Sequence, residues 1–283
     1  MKVKLLTYTP NPEKLVAICG KLCYAGCSID ELEENLTEEE INKFVNMLIK
    51  IGHESPLEHV SFTFAVEGVS RVTEQQLTRH RHASYSIQSG RYVERGNAEF
   101  TIPKNIQCHR YALNCFDEVT FISQNNYNTI TESLIIEMIE DYIIKHFGNL
   151  TSEERDYELE HFEERYKKEY NKFKKKAIED ARMVFPNSLQ TKIIFTMNLR
   201  SLINFFEHRC CFRSQDEIRE MANEMLKLCK EVSPILFNRL GASCKTKGYC
   251  PEGNMQCDEF KGIMPQFKDL YNAYLEKKQK EVK

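Results

Sequence analysis

The chain has 283 residues, of which 41% are hydrophobic and 29% charged, with a formal net charge of -3. This is the composition of a globular protein long enough for one large domain or two smaller ones, and it excludes nucleic-acid binding driven by overall basicity. No apolar run approaches the ~20 residues a helix needs to cross a bilayer, and Met1 to Thr9 lacks the apolar stretch of a secretory signal, so a cytoplasmic protein with no membrane partner is expected.

Met1 to Tyr8 alternates Val3 and Leu5 with Lys2 and Lys4, which predicts a strand. Thr37 and Glu40 have the spacing of a capping box, and Ile41, Phe44, Val45, Leu48 and Ile49 behind them share one helical face that Gly52 terminates. Val60, Phe62, Phe64 and Val66 alternate with Ser61, Thr63 and Glu67, predicting a strand with one buried face. Ser70 to about His80 reads as a helix, and residues 81–98, rich in Ser, Gly and Asn, read as a loop. Residues 126–182 are strongly helical. Ile130, Leu134, Ile135, Ile139, Tyr142 and Ile143 form a stripe ending at Gly148, and Thr151 with Glu154 makes a second capping box. The Glu- and Lys-rich stretch after Thr151 reads as a solvated helical face. Thr191 to Met197 predicts a strand, with Asn198 capping a helix that carries Leu202, Ile203 and Phe206. Asp216 to Val232 is amphipathic through Ile218, Met221, Met225 and Leu228.

There are 11 cysteines, irregularly spaced, for which reduced thiols are expected. Cys244, Cys250 and Cys257 lack the close pairs of a standard zinc pattern, so free or redox-sensitive thiols are the preferred reading and no metal is assigned.

The chemistry concentrates between Gln75 and Val93, a window without Asp or Glu. It holds Arg79, His80, Arg81, His82 and Arg91, with Ser84, Ser86, Ser89 and Gly90. Guanidinium groups bind phosphate through paired hydrogen bonds, and hydroxyls, loop amides and a glycine complete such a nest. The competing structural reading is a solvated basic turn, or arginines paired with distant carboxylates. A single-stranded RNA-binding module using residues 79–91 is an alternative, weakened by the lack of a regular spread of aromatics. A metal phosphohydrolase is a third, and no close His-Asp pair among the 8 histidines supports it.

Arg79-His80-Arg81, Ser84 and Ser89-Gly90-Arg91 resemble the RHRxxSxxxxSxR signature of the flavin-dependent thymidylate synthases. Residues Gly52 to His59 resemble the family's segment before its core strand. Arg182 with Pro186, then Asn198-Leu199-Arg200-Ser201, Asn204 and Arg209, resemble its second cluster in the same order. The resemblance covers roughly residues 1–240, taken as the catalytic domain, and leaves 241–283 as a C-terminal cysteine-containing extension.

The resemblance implies an α/β (α+β) fold with a central, mostly antiparallel sheet flanked by helices, a long helical segment and homotetrameric assembly. It implies conversion of deoxyuridylate (dUMP) to thymidylate (dTMP), with methylenetetrahydrofolate as carbon donor and FAD reduced by NADPH as hydride source. The partners would be small molecules, without nucleic acid. By similarity, dUMP would be held by Gln76, Arg79, Ser89, Gly90, Arg91 and Arg182, with Ile87 and Gln88 contributing main chain. Arg209 would be the catalytic residue, facing the uracil and favouring its ionised ring. FAD would be contacted by Ser55, Arg79, His80, Arg81, Asn198, Arg200 and Asn204, with His53 on the folate and flavin side. Ser89 would position substrate, since its arginine neighbours cannot act as a base.

Overall fold

The computed structural model describes residues 1–257. In chain order its elements are β1 (Lys2–Tyr8), α1 (Pro12–Leu22), α2 (Ile29–Glu34), α3 (Glu38–Ile51), a 3-10 turn (Ser55–His59), β2 (Ser61–Ser70), α4 (Arg71–Leu77), β3 (Ser84–Ile87), α5 (Lys104–Gln107), α6 (Arg110–Phe147), α7 (Ser152–Glu160), α8 (Phe162–Arg165), α9 (Lys167–Ala181), β4 (Gln190–Asn198), α10 (Leu199–Arg209), α11 (Asp216–Val232), α12 (Pro234–Phe237) and α13 (Ser243–Lys247). The strands form one antiparallel sheet in the order β1-β2-β4-β3, so the expected mixed fold with an antiparallel sheet is the one observed.

The chain separates into two compact units. The first comprises Met1–Glu67, Thr73–Ser86 and the described residues from Ile193 to Cys257; the second comprises Gly68–Val72 and Ile87–Lys192.

In the first unit, β1 pairs antiparallel with β2, from Lys2 opposite Glu67 to Tyr8 opposite Phe62. The alternation read in the sequence becomes burial: Phe62, Phe64 and Val66 of β2 and Ile193, Phe195 and Met197 of β4 all point into the core. Phe64 stacks on Phe195 with ring centroids 5.6 Å apart, and Phe62 meets Phe237 edge-on at 5.0 Å. Helix α11 packs on β1, and α10 packs on α11. The Thr37–Glu40 capping box forms, with both reciprocal bonds present, and Gly52 ends α3 in the left-handed conformation at φ 72°. Helices α1 and α2 are among the elements that escape the sequence reading. Helix α1 begins with Pro12 at its first position, and α2 carries its own capping box, Ser28 with Glu31. Their buried stripes are narrow: Val16, Ala17 and Gly20 in α1, and Leu32 alone in α2, so the apolar periodicity is faint.

The second unit is dominated by α6 lying against α9. Tyr127, Ile178 and Ala181 form one core cluster, and Ile139, Ile143 and Phe162 form another. The Gly148 terminus and the Thr151–Glu154 capping box are as expected. The solvated-face reading of the charged stretch holds for α7, which buries nothing, but not for α8 and α9. Phe162, Ala177, Ile178 and Ala181 are buried, with Tyr166, Tyr170 and Phe173 packed against Phe162. Apolar residues three or four apart suffice to seat a helix, however many charges lie between them.

Candidate functional site

Strand β2 leads directly into α4, and the chain leaves α4 through the basic segment. The turn is fixed by backbone bonds, His80 N–H to Leu77 carbonyl at 3.0 Å among them. Tyr85, from inside the segment, closes it: its hydroxyl donates to the carbonyls of Leu77 and His80, at 2.8 and 2.7 Å. Burial pushes the Tyr85 phenol up to about 12, so it stays a donor at neutral pH. The loop expected over 81–98 therefore contains a strand, β3, with Tyr85 in it. A four-residue strand among Ser and Gly leaves almost no periodic trace.

Arg209 ends α10, a favourable place for a cation at the negative end of the helix dipole. Its Nε–H donates to His80 Nε2 at 2.9 Å. That bond requires an unprotonated Nε2, so His80 is neutral, with its proton on Nδ1. Burial, with the charges of Arg209 and His208 added, lowers the His80 pKa to about 4. Burial and the nearby Arg79 charge also lower that of Arg209. The charge of Arg79 is thus felt at Arg209, and neither has a carboxylate partner among the described residues. They line a cleft of about 1210 Å³ together with Gln76, His80 and Asn204. Gln76 donates through Nε2 to Gln215 Oε1 at 2.7 Å, a partner 139 residues away that nothing local in the sequence could have signalled.

The other expected residues of this unit are engaged differently. Arg200 pairs with Glu54 at 3.2 Å and with Glu58, which raises its pKa. Asn198 caps α10, its Oδ1 accepting from Ser201 N–H at 2.8 Å, as expected. Ser55 Oγ lies 3.2 Å from His53 Nε2. Arg81 is exposed.

In the second unit the Ser89–Arg91 turn is closed by Arg91 N–H donating to Ser89 Oγ at 3.1 Å. A Cβ on Gly90 would lie 2.8 Å from Arg182 Nη1, so the glycine is what lets that guanidinium come down onto the backbone. Arg182 caps the C-terminus of α9 and has no ion-pair partner among the described residues. Arg91 does have one, Glu179 at 3.1 Å. Gln88 donates its backbone N–H to the Lys192 carbonyl at 2.9 Å and accepts from Arg95 Nη2 at 2.8 Å. Ile87 is the last residue of β3. Arg95, half-buried with its pKa lowered by burial, was not singled out from sequence: a lone arginine carries no spacing signal.

Residues 4–235 match the model of the family described as thymidylate synthase complementing protein. The chain belongs to this family. It is 48% identical to the flavin-dependent thymidylate synthase of Clostridium tetani, over 96% of this chain and 97% of that one. It is 37% identical to the one of Geobacter sulfurreducens, over 95% and 99%, and 35% identical to that of Pyrococcus horikoshii, over 98% and 99%.

Each unit offers guanidinium groups that suit the phosphates of an anionic nucleotide or of a flavin cofactor. In the first, Arg79 and Arg209 have no carboxylate partner among the described residues; in the second, Arg182 has none either, and its guanidinium lies over Gly90, where a side chain would meet it. Among the described residues no group of three or more His, Cys, Asp or Glu could hold a metal ion, and no helix is long and apolar enough to cross a membrane. All 11 cysteines are unbridged.

Proposed function

We propose that this protein is a flavin-dependent thymidylate synthase, converting dUMP to dTMP with methylenetetrahydrofolate as carbon donor and FAD reduced by NADPH. The observation that carries the reading is the pair Arg79 and Arg209, two cations that line one cleft and have no carboxylate partner among the described residues, in a chain of this family. FAD, when bound, supplies the hydride chemistry. The remaining work falls to the chain's own side chains.

Arg209 is the proposed catalytic residue. A permanent cation beside the uracil stabilises the negative charge of the ionised ring. Neutral His80 orients that guanidinium by accepting from Nε, leaving its terminal N–H groups for substrate. Arg79, Gln76, Ser89, Gly90, Arg91 and Arg182 bind dUMP, with the main chain of Ile87 and Gln88. Ser55, Arg79, His80, Arg81, Asn198, Arg200 and Asn204 contact FAD, and His53 serves the folate and flavin side. For Asn198 the free group is the amide nitrogen, since its oxygen is committed to the cap. Residues 1–240 form the catalytic region, and 241–283 an extension, most of which lies outside the described residues. Homotetrameric assembly and small-molecule partners, without nucleic acid, complete the reading.

Purified protein should be yellow and should form thymidylate only when dUMP, methylenetetrahydrofolate and NADPH are all present. Colourless protein that fails to take up added FAD defeats the proposal. Arg209→Ala should keep its flavin spectrum and lose on the order of 10²–10³ in kcat, the cost of removing one preorganised charge-stabilising group. Wild-type turnover would remove Arg209 from its role. Light scattering should give a mass four times that of one chain, and a monomer would refute the tetramer.

A further inference from the structure

The cleft that holds Arg79 and Arg209 carries a second set of cations that the thymidylate reading does not use. Lys230, near the end of α11, and Lys245, in α13, both line it. The stem of Lys245 lies on buried Gly241, where an added Cβ would come within 2.9 Å of the Lys245 Cδ. Glycine at 241 therefore seats that side chain against the cleft wall. Both side chains line the same cleft, and burial first, then the charge of neighbouring Lys245, lower the pKa of Lys230. Two ammonium groups have only donors to offer each other, so the contact is unfavourable unless an acceptor lies between them.

Three carboxylates line the cleft, and among the described residues none pairs with Lys230 or Lys245: Glu207 pairs with Lys247 at 2.8 Å, Glu252 pairs with Arg213 at 2.7 Å, and Glu231, beside Lys230 on α11, is exposed. Neither Lys230 nor Lys245 has an ion pair among the described residues. We propose that Lys230 and Lys245 form an oxyanion subsite of this cleft, separate from Arg79 and Arg209, which takes a phosphate or carboxylate group of a small anionic ligand. An ammonium is a compact point charge that accepts either group, without the planar matching a guanidinium imposes. The inference is independent of the thymidylate reading, because it concerns anion binding alone.

The test uses the full chain with lysine ε-carbons labelled with ¹³C, the two signals being assigned from Lys230→Gln and Lys245→Gln. Inorganic phosphate is titrated in one arm and glutarate in the other, at constant ionic strength maintained with chloride. In at least one arm the Lys230 and Lys245 signals should move together along one saturating curve, and that arm names the group. Each single Gln variant should weaken binding by about tenfold or more, the cost of one charge-assisted contact. Lys245→Glu gives Lys230 a partner of its own, so saturable binding should vanish while the thermal midpoint stays at or above wild type. The curve should survive in Arg209→Ala. Signals that stay fixed or drift without saturating in both arms, wild-type affinity in Lys245→Glu, or a curve lost in Arg209→Ala would each overturn the proposal. Flavin content and turnover are read separately, so failure here leaves the enzyme assignment standing, and the reverse.

Discussion

Gly90 separates two roles that a glycine can have. It is not in a left-handed turn; its importance is the approach of Arg182 Nη1, which an added Cβ would meet at 2.8 Å. The atom in the way is the far end of a flexible side chain, so Gly90→Ala should leave the thermal midpoint almost unchanged while displacing that guanidinium. The expected kinetic result is a raised KM for dUMP with a smaller change in kcat. A large loss of stability would show that the glycine serves the backbone instead. His80 makes a pH prediction. Its pKa falls from an ordinary 6.5 to about 4 in the folded chain, so the unfolded state binds the extra proton first. Its contribution to stability is complete above pH 6.5 and is lost as pH falls toward 4, when protonation also breaks the bond from Arg209. Thermal midpoints measured across that range should decline in the wild type, and less steeply in His80→Gln. Equal slopes would show that other groups carry the acid sensitivity.

At the scale of elements, the readable features were those that depend on residues within a few positions. Both capping boxes, Thr37 with Glu40 and Thr151 with Glu154, form as their spacing predicts, because a cap is a bond between a side chain and the next turn. The helix bounds Asp216–Val232 coincide with the sequence reading for the same reason. Among the elements that the sequence does not disclose, α1 buries the small residues Ala17 and Gly20 beside Pro12 and Val16, α2 buries Leu32 alone and β3 spans four residues, so none gives a clear apolar period. Phe162 is the sharpest case. It stands between His161 and Glu163 and looks like part of a charged surface, yet it is fully buried among Ile139, Ile143, Tyr142 and Phe173. Phe162→Ala should cost about 3–5 kcal/mol, the range for an aromatic removed from a packed core. Urea unfolding measures it, and a loss below about 1 kcal/mol would return the α7–α9 region to a solvated face.

Across the whole molecule, the thiols divide by burial and not by sequence. Cys23, Cys27, Cys108 and Cys115 are exposed, whereas Cys210, Cys229 and Cys250 are buried. Burial pushes the Cys210 thiol up to about 12 and raises that of Cys229 as well. A colorimetric disulfide reagent at pH 8 should therefore label the exposed four rapidly and reach Cys210 and Cys229 only after denaturant is added. Rapid labelling of Cys229 in the native protein, seen by peptide mass, would contradict the burial. The same division runs through the functional reading. By itself the sequence determined the signature from Arg79 to Arg91, the strand alternation, the caps and the family, because each is a matter of residue type and spacing along the chain. Only the tertiary structure decided that Arg79 has Arg209 for a neighbour, that His80 is the neutral acceptor between α4 and α10, that Arg200 is matched by Glu54 and Glu58, and that Lys230 meets Lys245. Charge and protonation state depend on distance and on loss of water, and folding sets both between residues that the chain keeps far apart.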